Sequence, residues 1–119
     1  MKKDMQNTDI KYSDDVIRLI AGCATQDVEG VIGMSKSIIG RAAKRLGRKD
    51  FIDGVRCTVK DKMVAIDVYV ILQFGYRLSD VAVKIQRAVK EAIERDTDFE
   101  VTEVNVNIQG VDIGKNSEL

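Results

Sequence analysis

The run Val104-Asn105-Val106-Asn107-Ile108-Gln109-Gly110 alternates aliphatic and carboxamide side chains until it reaches the glycine. Successive side chains of an extended chain point to opposite faces, so this pattern fits a β-strand that buries one face and presents amides on the other. A helix would scatter both sets around its circumference. Any fold for this chain must therefore contain a sheet with one polar face. The run supplies no nucleophile and no proton-transfer group, which suits binding or assembly rather than catalysis.

A second two-residue period begins after Gly54. Val55, Cys57 and Val59 face one way and Arg56, Thr58 and Lys60 the other; Asp61-Lys62 reads as a hairpin turn. Val64, Ile66, Val68, Val70 and Leu72 return along the inward side, with Asp67, Tyr69 and Gln73 outside. Two other segments have helical spacing. Ser13 is the expected N-cap of the first, with Asp14 and Asp15 at the positive end of its dipole. Its apolar stripe is Val16, Leu19, Ile20, Cys23, Ala24 and Val28, and Gly30 stops it. Ser79 is the expected N-cap of the second helix, residues 80–95, whose stripe runs through Val81, Ala82, Ile85, Ala88, Val89, Ala92 and Ile93. Val31 to Ser35 reads as a short strand interrupted by Gly33. Val101 and Val104 differ in parity, which demands a bulge or break near Thr102-Glu103 before the last strand.

The order helix, strand, strand, strand, helix, strand predicts an α+β domain. It has one mixed β-sheet of about four strands, with two helices packed on one face and the other face open. If strands 63–73 and 103–109 run parallel, helix 80–95 crosses between them. A length of 119 residues with 45% hydrophobic residues supports one core, placed over residues 13–113, with 1–12 and 114–119 as flexible tails. No window approaches the ~20 apolar residues of a membrane span. The expected compartment is the cytoplasm, with any membrane reached through a partner.

The inventory of reactive groups is thin. The chain has no histidine, and its two cysteines, Cys23 and Cys57, form no Cys-x-x-Cys pair. Both are expected to be reduced and to act as small hydrophobes. The carboxylates at Asp14/Asp15 and at Asp96/Asp98/Glu100 lack calcium-loop spacing, and the span from Gly40 to Gly47 lacks the Gly-Lys-Ser/Thr ending of a phosphate loop. These observations predict no catalytic residue, no cofactor and no metal site.

Two surface features remain. The first is the amide ladder Asn105, Asn107 and Gln109, extended by Asp67 and Tyr69 of the neighbouring strand. Amides both donate and accept hydrogen bonds, so this is a candidate interaction surface. The second is a stretch free of acids that holds six of the 19 basic residues. Within it Arg41, Lys44, Arg45, Arg48 and Lys49 form a candidate basic patch, on a short amphipathic helix with Ile39, Ala42, Ala43 and Leu46 inside. Such a patch can meet an acidic protein surface, anionic lipid heads or phosphates. Gly40-Arg41-Ala42-Ala43 has the outline of a nucleic-acid-clamping Gly-x-x-Gly loop, but alanine replaces the second glycine and no aromatic platform is interleaved. An RNA-binding module is therefore the lesser alternative.

Taken together, Ile20 to Ala24, Val28 to Val31, Gly54-Val55, Val64 to Val70, Phe74-Gly75, Val81, Gln86, Val89 and Val101 to Val111 form a specific signature. With it, the chain from Val16 to Ile113 resembles the alkaline shock proteins of Gram-positive bacteria. The resemblance implies a non-enzymatic cytoplasmic protein tied to cell-envelope stress and homeostasis. It also implies self-association and, in some members, retention near the membrane by a membrane-anchored partner. Regulation of an envelope or lipid-synthesis enzyme by direct contact is a further role it allows. The basic stretch between Ser35 and Asp53, and a hairpin turn without glycine, depart from the family pattern.

Overall fold

The longest apolar alternation builds the middle of the sheet. The computed structural model describes residues 10–34 and 52–113. Its elements are α1 (Asp14–Gln26), β1 (Val31–Met34), β2 (Val55–Lys60), β3 (Met63–Gln73), α2 (Leu78–Asp96) and β4 (Glu100–Asp112). β2 pairs antiparallel with Met63–Val68 of β3 and β1 with Val70–Leu72, so the two share one edge of the long strand in tandem. β4 runs parallel to β3 along its whole other edge. The sheet is thus mixed, in the predicted α-β-β-β-α-β order.

Alternation along β3 separates the two faces. Val64, Ile66, Val68, Val70 and Leu72 are at most 1% exposed, whereas Ala65, Asp67, Tyr69 and Ile71 between them are half-buried. Both helices cover the first face, α2 through Val81, Ile85, Val89 and Ile93, and α1 through Ile17 and Ala21. Burial of each large aliphatic contributes roughly 1.5–3 kcal/mol before conformational entropy is subtracted. At the α1–β1 turn Gly30 has φ of 101°, and a Cβ there would lie 3.0 Å from Val81 Cγ2 and 3.2 Å from the Tyr76 ring. Only glycine suits both the backbone and the space.

Three local expectations are corrected. The buried face of α1 is Ile17, Ala21, Gly22 and Thr25, while Val16 is 43% exposed and Cys23 is exposed. The Thr25 hydroxyl donates to the Ala21 carbonyl at 2.8 Å, which offsets the penalty for burying it, and Gly22 is buried beside Ala21 with no side chain of its own. The inward stripe is thereby turned away from Val16 and Cys23. In α2 the N-cap is Arg77, without a side-chain cap, and Ser79 falls within the first turn. Tyr76 and Leu78 pack against the core and fix the helix start two residues earlier than a serine cap would. β4, finally, begins at Glu100 rather than 103. Val101 pairs with Val64 but Glu103 with Ala65, so the strand runs through the expected bulge with Thr102 as the extra residue.

Candidate functional site

The face of the sheet opposite the helices is built in rows. The two-residue turn at Asp61-Lys62 sets Arg56 opposite Asp67, and the parallel register sets Asn105 on the other side of Asp67. Tyr69 lies beside Asn107 in the next row. Asn105 Nδ2 donates to Asp67 Oδ1 at 2.8 Å and to Glu103 Oε2 at 3.2 Å. Asn107 Nδ2 donates to the Val68 carbonyl at 3.2 Å. The Arg56 guanidinium stands 5.8 Å from the centroid of the Tyr69 ring, within cation–π reach.

Asp67, Tyr69, Asn105 and Asn107 are therefore brought together on strands whose other faces pack the core. Gln109 is not. A second register shift, between Ile108 and Gly110, leaves Gln109 as the extra residue and sets Ile71 opposite Gly110. A Cβ on Gly110 would lie 3.3 Å from Ile71 Cδ1, so the isoleucine covers the place a third amide would take. Arg56 is the surface residue that the sequence reading missed, although the hairpin register already placed it beside Asp67. The basic patch Arg41, Lys44, Arg45, Arg48 and Lys49 lies outside the described residues, as does the glycine-containing loop around Gly40.

β4 has a second role as the outer strand of the sheet. Glu94 of α2 accepts hydrogen bonds from Lys90 Nζ at 2.8 Å and from the Val101 amide at 2.9 Å. Gln86 donates to the Val104 carbonyl at 3.1 Å. Two helix side chains thus occupy backbone groups of β4 that point away from β3. The Lys90 ammonium first, and the Val101 amide second, hold the Glu94 carboxyl below the usual glutamate range. A depressed carboxyl contributes stability that is present above its unfolded pKa and lost as pH falls through the folded value. Glu94→Gln should therefore flatten the decline of the urea midpoint between about pH 5 and about pH 3, relative to the parent chain. Equal slopes for both proteins would show that the Lys90–Glu94–Val101 contact contributes nothing.

Among the described residues no group of three or more His, Cys, Asp or Glu side chains is placed to hold a metal ion. No described helix is long and apolar enough to cross a membrane. The shared surface chemistry is hydrogen bonding, charge and one aromatic ring.

Comparison with known proteins gives these features a family. YloU, an uncharacterized protein of Bacillus subtilis (strain 168), is 35% identical over 104 residues that cover 86% of this chain and 87% of YloU. A stress response regulator gls24 homolog of Streptococcus pyogenes serotype M3 (strain ATCC BAA-595 / MGAS315) is 31% identical over 100 residues, which are 83% of this chain but 56% of that longer protein. Among solved structures, a zinc form of the MamM CTD superposes with a TM-score of 0.51 at 14% identity, covering 87% of this chain and 91% of that one. That likeness is one of fold alone. Residues 2–113 match the alkaline shock protein 23 family, described as having a cell envelope-related function, and the chain belongs to that family.

Proposed function

We propose that this chain is a non-enzymatic assembly module of the cell-envelope stress response, working by self-association and protein contact through the open face of its sheet. It acts in the cytoplasm, and a membrane-anchored protein partner brings it to the membrane. The observation that carries this reading is the cluster of Asp67, Tyr69, Asn105 and Asn107 on two adjacent, core-packed strands, with Arg56 beside it. Tyrosine and arginine on a rigid support are the residue types that concentrate binding energy at interfaces. The Asp67 carboxylate accepts from the Asn105 amide and the Tyr69 ring lies against Arg56, which supports contact rather than turnover. Arg41, Lys44, Arg45, Arg48 and Lys49 supply a second contact, to an acidic partner surface.

Asn105→Asp tests the reading. It places a third carboxylate where the amide now donates to Asp67 and Glu103, at 2.8 and 3.2 Å. Association measured by light scattering is expected to weaken about tenfold or more, while the urea midpoint moves little, because the site is exposed. Unchanged association would remove this face from the proposal.

A further inference from the structure

The sheet ends in two strands of opposite charge. β4 carries Glu100, Glu103 and Asp112 and no basic residue, whereas β2, on the opposite edge, carries Arg56 and Lys60 and no acid. Among the described residues each of these strands pairs with β3 alone, so each keeps a row of backbone N–H and C=O groups turned outward. On β2, Tyr69 of β3 donates to the Gly54 carbonyl, and alternation then turns the backbone of Val55, Cys57 and Val59 outward. On β4, the Val104 carbonyl that takes the Gln86 amide marks an outward group, and the backbone of Val106 follows by alternation.

We infer that a second copy of this chain adds edge to edge to the sheet, its β2 lying antiparallel to the first copy's β4 with its Lys60 opposite Glu103. The topology favours this arrangement. β2 is antiparallel and β4 parallel to β3, so a copy displaced sideways in the plane of the sheet brings β2 antiparallel onto β4. The helices of both copies then share one face. In the same register Val59 falls opposite Val104 and Cys57 opposite Val106. Outward backbone groups meet outward groups, and apolar side chains meet on the helix-covered side. A slip of one residue would set inward backbone against outward and reverse the faces. A slip of two would separate Lys60 from Glu103.

Pairing β4 with its own counterpart is disfavoured by charge. Glu103 and Asp112 flank the uncharged stretch Val104–Val111 at both ends, so an antiparallel β4–β4 contact centred on that stretch brings carboxylates together. Glu94, bonded to the outward Val101 amide, marks where the added strand stops, and Gln86 yields the Val104 carbonyl to it. The contact uses different surfaces on the two copies and does not close on itself, so association continues copy by copy.

The inference rests on the self-association reading but places the contact at the sheet edge. Its test uses the full chain with Cys23→Ala and Cys57→Ala. Glu103→Cys is made in one preparation and Lys60→Cys in another, both at exposed positions. The pair is of the closely spaced, non-hydrogen-bonded kind, about 4.5 Å between Cα atoms and within disulfide reach. Under mild oxidation the mixture is expected to give a covalent dimer and neither preparation alone to do so. Dimer from Glu103→Cys alone would overturn the proposal in favour of two β4 strands crossing at residue 103. No dimer in the mixture, while light scattering still reports association, would overturn it and leave assembly through the open face standing. A monomer at every concentration would remove both. A charge exchange supplies an independent reading. Glu103→Lys and Lys60→Glu are each expected to weaken association about three- to tenfold, and the chain carrying both to recover to within about twofold. Weakening without recovery would also overturn it.

Discussion

Truncating Ile85 to alanine is expected to destabilise the domain by about 2–5 kcal/mol, read as a fall in urea midpoint with unchanged slope. Ile85 is fully buried in the middle of α2, between the helix and the apolar face of the sheet. The same face holds Val64, Ile66, Val68, Val70 and Leu72, all effectively inaccessible to solvent. Removing the side chain loses its transfer free energy and leaves a cavity that strands paired on both sides cannot collapse to fill. Ile85→Val keeps most of the volume and is expected to cost only about 0.5–1.5 kcal/mol. A cost below about 1 kcal/mol for Ile85→Ala would mean that α2 does not hold the sheet, and that the open face lacks the rigid support given to it here.

Gly54→Ala should be nearly as damaging for the opposite reason. Gly54 sits where β1 and β2 meet along one edge of β3, and its carbonyl accepts the Tyr69 amide at 2.9 Å. A Cβ added there would stand 2.6 Å from Met34 Cβ and 2.9 Å from Met34 Cε. The methionine end can swing away, but its Cβ is fixed to β1, so two strands must separate. The expected cost is about 1–3 kcal/mol. Met34→Gly made in the Gly54→Ala background removes the opposing Cβ and should give a combined cost smaller than the sum of the two single changes. Strict additivity would show that the two strands do not press on each other at this point.

The parts of this structure that could be read from the sequence are those governed by period and turn chemistry. Alternation from Val55 to Leu72 gave β2, β3 and the hairpin, since an Asp-Lys pair between two such runs leaves few other solutions. Asp61 adopts φ of 59°, a left-handed conformation that aspartate tolerates without glycine. The parity change between Val101 and Val104 gave the bulge at Thr102. The face of α1 was misread, because hydropathy alone ranks Val16 and Cys23 above Thr25, and a hydroxyl satisfied by its own helix carries no sequence signal. The second register shift, at Gln109, was equally hidden, since the aliphatic and amide residues alternate smoothly through Ile108 and Gln109. Gly110 was the available hint, as a glycine inside a strand often marks a bulge or a close neighbour.

The same contrast applies to the surface. Asp67, Tyr69, Asn105 and Asn107 follow from strand parity once β3 and β4 are neighbours, whereas dropping Gln109 and adding Arg56 both require the register. Opposite charge on the two edge strands could be seen only after the strand order was known, because β2 and β4 lie far apart in sequence and flank the same central strand.

Light scattering of the intact chain over a wide concentration range, beside Tyr69→Ala, tests the assembly reading most directly. Tyr69 is only half-buried and its ring faces Arg56 rather than the core, so its removal leaves the apolar layer untouched. The mass of the parent chain is expected to rise with concentration, and that of Tyr69→Ala to stay closer to a monomer, with a loss of about 2 kcal/mol or more in association free energy. A parent chain that keeps the monomer mass of 13.3 kDa at every concentration, or a variant that associates as the parent does, would contradict it.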